Sequence, residues 1–567
     1  MSFLTSFKLS DRLKEVLFRF PLVILFALST TAGLLFFIED STGDIFRWPV
    51  SAFIGFLAIL NWSVFNETYK LSKTKYWFGV AIIVLLLWVY ISRCPSDLSS
   101  DDSCFWFVTV GLSFILHLLI SLVPFLRNFD RLLFVHYNIN IFVAWIQSAF
   151  YAVTLFWAMS LAFLALDQLF NVTISSLFYF RLFIVITGVF QVAFFLSDFP
   201  DNFYQISKIK NYAIFKVFIS YVAIPITLIY CTILSAYIIR IGIFGYDVVE
   251  WVYVMCIWYF VIGILTFLFS LYFEVTNDNQ IMVWFRKWFF NISIPALILF
   301  VFSLTTSIMK AGIKSEFYLS AMIAAFVVLI IGIMILPVKK DLRLFPAILI
   351  LLSVISFFGG PVSICELPVA NQQKRLLNNL TEMGIIRNGV ISIDTLKTYA
   401  TDDSEFSNRV YYLSSMDALR FLKELDANGL LNDNDLAASI LNVVNQNSNQ
   451  PSAQYFSIYS NDTSSEGISD FDLLLYIVPG FQENKGESYA VMKGTELCII
   501  LENKEVWKFE VADDIFQLYK REEKQLVILK ENDFYKAKIL LKSASGFNDG
   551  KKLKIEDIQG LLLLKKK

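Results

Sequence analysis

Two histidines, His117 and His136, are all the imidazole this chain of 567 residues contains. That scarcity removes most hydrolytic chemistry at once. A zinc protease motif needs two histidines one helical turn apart, and a serine triad needs a base beside its nucleophile. Serine and aspartate are plentiful in the carboxyl-terminal part, but it contains no histidine. The chain has no phosphate-cradling GxxxxGK[ST] loop, no GxSxG elbow, no dinucleotide fingerprint and no Cys-x-x-Cys pair. No catalytic residue, metal ligand or cofactor site is therefore expected.

What remains is a small set of polar residues inside long apolar runs. His117, Gln147 and Gln191 lie well within such runs, and Glu67, Asp167, Asp198 and Glu274 lie near their ends. A charged group at membrane depth costs ~2.5–3.5 kcal/mol and usually faces protein or water. The functional reading of His117 is a proton relay, a common role of imidazole side chains. The plainer reading is a neutral imidazole bonded to a neighbouring helix. Gln147 and Gln191 read as interhelical hydrogen-bond partners; with His117 they are the candidates for a substrate pathway.

Four of the six cysteines lie outside the apolar runs. Cys94 and Cys104 fall ten residues apart in one loop and are placed to form a disulfide in an oxidising compartment. Cys365 and Cys498 could pair with each other or stay free. Cys231 and Cys256 fall within spans and read as small buried apolar residues.

The elements that carry these residues are long. About eleven apolar runs occupy 20–38, 47–65, 76–92, 105–126, 141–166, 174–196, 215–239, 251–273, 288–309, 316–336 and 343–360. A helix of ~20 residues matches a hydrocarbon core of ~30 Å. The whole chain is 57% hydrophobic and 17% charged, against roughly 25% charged for a soluble domain. This is the pattern of a polytopic α-helical membrane protein with a polar carboxyl-terminal α+β domain. Residues 1–19, with Phe3, Leu4, Phe7, Leu13, Val16 and Leu17 set against Lys8, Arg12 and Arg19, read as an interfacial amphipathic helix.

Basic residues alternate between the loops. Seventeen (Lys8, Arg12, Lys14, Arg19, Lys70, Lys73, Lys75, Arg127, Arg131, Lys208, Lys210, Lys216, Arg286, Lys287, Lys339, Lys340, Arg343) fall in one set and six (Arg47, Arg93, Arg181, Arg240, Lys310, Lys314) in the other. Basic loops remain cytoplasmic, which puts the amino terminus inside. An odd number of crossings then puts the polar domain outside. The last run decides this, and it is the weakest of the eleven: a re-entrant hairpin at 343–360 would leave the tail in the cytoplasm. A net charge of −2 gives no reason to expect nucleic acid.

Beyond 360 the chain turns polar. Residues 361–450 read as helical, with Leu376, Leu377, Leu380, Met383 and Ile386 on one stripe before a turn at Asn388-Gly389. A further helix capped by Ser415 or Asp417 would bury Leu419, Leu422 and Leu425. Oxygen-rich residues 426–435 read as a helix end and a new helix start rather than a calcium loop. Residues 451–567 change to period-two alternation between Gly, Asn and Asp turns, which predicts a small, mostly antiparallel β module.

Several motifs resemble those of the bacterial multi-pass proteins catalogued as domain of unknown function 4153. They are Arg19-Phe20-Pro21-Leu22 at the first span, Trp284-Phe285-Arg286-Lys287-Trp288-Phe289-Phe290, Ile294-Pro295, and Ala311-Gly312-Ile313 with Glu316 and Tyr318. Gly360-Pro361-Val362-Ser363 and Asn371-Gln372-Gln373-Lys374-Arg375-Leu376 follow the last span. The resemblance implies an envelope protein of unassigned activity, and it marks Gly312, Gln372 and Arg375 as family-motif positions. It departs at Phe317-Tyr318, where the family carries an arginine-tyrosine pair.

The functional expectation is an envelope receptor, scaffold or assembly factor that binds a protein partner through its outer domain while anchored in the lipid bilayer. The alternative is a transporter or lipid-handling protein, with Pro225, Pro295 and Gly312 bending helices near a site.

Overall fold

Each of the eleven apolar runs forms a helix, because a backbone buried among apolar side chains must satisfy its own hydrogen bonds and a helix does so within one segment. The computed structural model describes residues 14–39, 44–94, 103–170, 173–200, 213–245, 249, 251–274, 279–336, 340–387, 390–391, 404–426, 436–437, 440–441, 454–459, 471–478, 489–493, 496–501, 504–521, 526–548 and 553–567. The amphipathic pattern before Lys14, the Asn388-Gly389 turn and residues 427–435 lie outside the described residues. The chain divides into two compact units: Met1–Asn378 with Tyr411–Arg420, and Asn379–Val410 with Phe421–Lys567.

In the first unit the helices are α1 (Pro21–Glu39), α2 (Arg47–Tyr69), α3 (Lys73–Ser92), α4 (Ser103–Leu122), α5 (Arg131–Phe170), α6 (Ser176–Ser197) and α7 (Ala213–Phe244). They continue with α8 (Val252–Leu271), α9 (Gln280–Ile292), α10 (Ile294–Ala311), α11 (Ser315–Ile335) and α12 (Leu344–Phe358). Among the described residues, ten helical segments, counting α9 and α10 as one, are long and apolar enough to cross a membrane; α12, with 15 residues, is shorter. Helix α5 differs most from expectation. The run placed at 141–166 extends to 40 residues, about 60 Å at 1.5 Å per residue.

Two irregularities fall where a proline denies a hydrogen bond. Pro225 has no N–H to offer the carbonyl four residues earlier, and the chain widens to a π turn over Ile219–Ala223 just before it. Ser293 separates α9 from α10, with Pro295 in the first turn of α10 where its missing donor is harmless. The fully buried Ser293 hydroxyl donates to Phe289 O at 2.7 Å and meets the Tyr259 hydroxyl at 2.6 Å.

Around this joint the interior is ring on ring: Phe267, Phe289 and Phe290 pack with centroids 4.8–6.5 Å apart. Among the described span residues, buried polar side chains are serines and threonines, together with Asn61 and His136.

Helix α12 runs the length of its neighbour α4 rather than turning back. At one end Arg343 donates to Phe125 O beyond the carboxyl end of α4 (2.9 Å), and at the other Cys365 is bonded to Cys104 at the start of α4. Gly111 lets the Phe357 ring lie against the α4 backbone between these ties.

In the second unit a short antiparallel hairpin, β1 (Ile386–Arg387) with β2 (Val390–Ile391), flanks Asn388-Gly389. Ile386 therefore lies in a strand, not on the expected helical stripe; Asn-Gly between apolar residues is itself a hairpin signal. The β module is one mixed sheet of β3 (Gln454–Tyr459), β4 (Leu473–Val478), β5 (Tyr489–Lys493), β6 (Glu496–Leu501), β7 (Lys504–Glu510), β8 (Val527–Glu531), β9 (Tyr535–Asn548) and β10 (Leu553–Lys566). Its order is β3-β9-β10-β4-β5-β6-β7, with β8 also on β9. All the pairings are antiparallel except β4 with β5. The helix Ala512–Arg521, not anticipated from the sequence, buries Ile515 and Leu518 in the sheet's core.

Candidate functional site

A dense set of polar contacts in the first unit surrounds Gly312, at the carboxyl end of α10. A helix end leaves carbonyls without partners and carries about half a negative charge. Gly312 turns the chain there with φ +81, a conformation that L side chains resist. A helix after the last span, α13 (Leu367–Glu382), supplies the caps from one face, since its residues i, i+1 and i+4 lie together. Asn371 Oδ1 accepts from the Ile313 N–H at 2.9 Å. Gln372, fully buried, donates Nε2 to Ala311 O (3.0 Å) and Ile313 O (3.1 Å). The Arg375 guanidinium donates to Lys310 O (3.0 Å), Met309 O (3.2 Å) and Ile308 O (3.3 Å). Gly312, Gln372 and Arg375, the positions that the resemblance singled out, thus meet at one place.

Further contacts extend this collar. The Tyr318 hydroxyl donates to Val362 O at 2.6 Å, and the Ser315 and Tyr412 hydroxyls share a hydrogen bond of 2.7 Å. Burial pushes the Tyr412 phenol above its ordinary range, with Glu316 adding to the rise and the Ser315 bond opposing it. Tyr412 lies on α14 (Ser404–Ser415), whose last residue accepts from the Ser103 hydroxyl at 3.0 Å. Ser415 thus ends a helix instead of starting one. The chain continues as a 3₁₀ turn, Arg420–Leu425, that buries Leu422.

The disulfide is Cys104–Cys365, with Cα atoms 5.6 Å apart. This replaces the expected pairing of Cys94 with Cys104. Ten residues of sequence do not bring those two together, whereas the antiparallel packing of α4 on α12 brings Cys365 across 261 residues. Cys94, outside any disulfide, is buried in a small cluster with Phe46 and Phe105, and Cys498, likewise outside any disulfide, is buried in the β module.

At the opposite end of the helices four arginines are engaged, three of them with carbonyls at or beyond helix ends. Arg19 makes two 2.8 Å bonds to Glu67 and donates to Phe199 O (3.1 Å) and Pro200 O (2.6 Å), past the end of α6. Arg286 caps α8 at Ser270 O (2.9 Å), and Arg343 caps the turn after α4 while pairing with Asp341. Arg131 pairs with Glu274 at 3.1 Å. The motifs containing Arg19, Arg286, Gly312 and Arg375 therefore hold helix ends in place.

The candidate pathway residues are not assembled. His117 is exposed, with Nδ1 2.8 Å from Ser113 O on its own helix. Gln147 is exposed on α5, and Gln191 is half-buried in a π turn. No hydrogen bond among the described residues joins the three. The buried histidine is His136, 3% exposed, its ring 4.3 Å from that of Tyr272 and its Nε2 without a hydrogen bond. Among the described residues, no group of three or more His, Cys, Asp or Glu side chains could hold a metal.

The sequence reading missed Tyr412, Asn371 and His136. Asn371 carried a signal: an Asn-Gln-x-x-Arg face shortly after an apolar run is suited to capping a helix end. Comparison with family models, with curated proteins and with solved structures finds no match.

Proposed function

We propose that this chain is a multi-pass protein of a bacterial cytoplasmic membrane, with its amino terminus inside. On this reading it acts outside as a receptor, scaffold or assembly factor, and the helical bundle holds a partner-binding tail. The observation that carries the reading is the Cys104–Cys365 disulfide. Such a bond persists in an oxidising compartment, and it joins the root of the tail at the bundle end opposite Arg19, Arg286 and Arg343. The Gln372 and Arg375 caps add a second fixing at the same root. A rigid root suits a presented binding module better than a transport gate. His117 and Gln147 on the outer faces of their helices and a ring-filled interior give a substrate pathway no support. Membership in the multi-pass family that the motifs resemble belongs to the same proposal.

The test uses intact cells expressing the chain with Cys94, Cys231, Cys256 and Cys498 replaced by serine. An impermeant thiol reagent should label Cys104 and Cys365 after treatment with an impermeant reductant, and not before. Labelling that requires lysis would reverse the orientation. Photo-cross-linkers at exposed Leu529 and Phe534 of the β module should capture one recurring protein partner; repeated failure to capture any would end the receptor or scaffold reading.

A further inference from the structure

A cavity of about 640 Å³ opens among α1, α2 and α3, within the ~300–1,000 Å³ typical of small-molecule sites. Its floor is made of small residues, Ser29, Ser51 and Ala52, and its walls are Trp48 and Trp88. Gly55 lies beneath: a Cβ there would meet the Phe26 ring, so its absence lets Phe26 sink towards α2. Trp48 is held by a 2.9 Å bond from its indole to Ser29 Oγ and by stacking on Phe36 at 5.7 Å. The slot follows α3 from Ile91 to Val84, seven residues or about 10 Å. Arg47 is the charged side chain in the lining, at the end where α2 begins. The same end of α1 is marked by the Glu39–Arg181 ion pair at 2.9 Å.

We infer that this slot binds an anionic phospholipid, with one acyl chain between Trp48 and Trp88 and the phosphate at Arg47. The inference rests on the membrane reading above. An apolar slot offers water too few partners to be well filled, and an acyl chain matches its shape and chemistry. Tryptophan and arginine at a helix end lie at headgroup depth, where a basic residue attracts anionic lipid. A free phosphate would make no use of the slot, so the chain and the charge together point to a lipid.

The experiment places the full chain in nanodiscs containing phosphatidylglycerol with a photoactivatable diazirine on its acyl chain, and maps the labelled residues by mass spectrometry. Label should concentrate on Val84, Trp88 and Phe26, severalfold above Trp157 and Leu161 on α5, which are as exposed as Trp88. Val84→Trp, at a half-exposed position, should abolish the excess without changing the melting temperature. Arg47→Gln should reduce the preference for this probe over its phosphatidylcholine counterpart from about fivefold towards none. Equal labelling of the slot and α5 would mean ordinary boundary lipid. That result, an excess that survives Val84→Trp, or cross-links from the slot to a second copy of the chain would overturn the proposal. Failure of the membrane reading would look different, because the chain would not enter the nanodisc at all.

Discussion

The Gln372 carboxamide lies directly over Gly312, donating to the carbonyls of the residues on either side, Ala311 and Ile313. A Cβ on residue 312 would come within 2.7 Å of Gln372 Nε2 and 2.8 Å of Arg375 Cδ. The glycine is required twice, for its backbone angle and for the space above it.

Gly312→Ala should therefore destabilise the protein by about 1–3 kcal/mol, the usual cost of a forced left-handed residue. Gly242, near the end of α7, has open space around a would-be Cβ, so Gly242→Ala should be neutral or stabilising by up to ~1 kcal/mol. Thermal melts of both variants in detergent check the contrast; equal shifts would refute it.

Breaking the Cys104–Cys365 bond should cost about 2–4 kcal/mol. Adding reductant to the natural chain should lower its melting temperature to that of the Cys104→Ser, Cys365→Ser double variant. Cys94→Ser should leave this sensitivity to reductant intact. A reductant-insensitive melt would show that the bond contributes nothing.

Tyr412 gives the collar an alkaline limit. Its folded phenol keeps its proton to higher pH than the unfolded one, whose ordinary value is 10.0. The folded state therefore binds more protons in the interval between the two, and stability falls as pH rises through it. Below about pH 10 the contribution is complete. Tyr412→Phe should lose about 1 kcal/mol with the Ser315 bond and flatten the alkaline limb of stability measured from pH 8 to 11.

Arg19 and Glu67 should not be equivalent. Glu67→Gln leaves Arg19 bonded to Phe199 O and Pro200 O, whereas Arg19→Ala removes those bonds and isolates the carboxylate. A loss of about 3 kcal/mol for Arg19→Ala, well above that for Glu67→Gln, is expected, since single hydrogen bonds to charged groups contribute about 1.5–3 kcal/mol. A double-mutant cycle measures the coupling; additive losses would show that the pair is decorative.

Run length, period and charge were legible in the chain alone, because each is a property of neighbouring residues. Phe20 to Phe358 could be divided into helices, the strands from Tyr455 onward followed from alternation, and the basic loops separated into two sets. Boundaries were less legible: α5 continues to Phe170 because no glycine or proline interrupts it, and the loop helix at Ala512–Arg521 was masked by the strands on both sides. Packing decided the rest. Which cysteine reached Cys104, why His136 rather than His117 was buried, and what filled the space above Gly312 all depended on helices distant in the chain coming side by side. Local pattern sets the shape of each segment, but only contacts across the chain determine which of its faces meet.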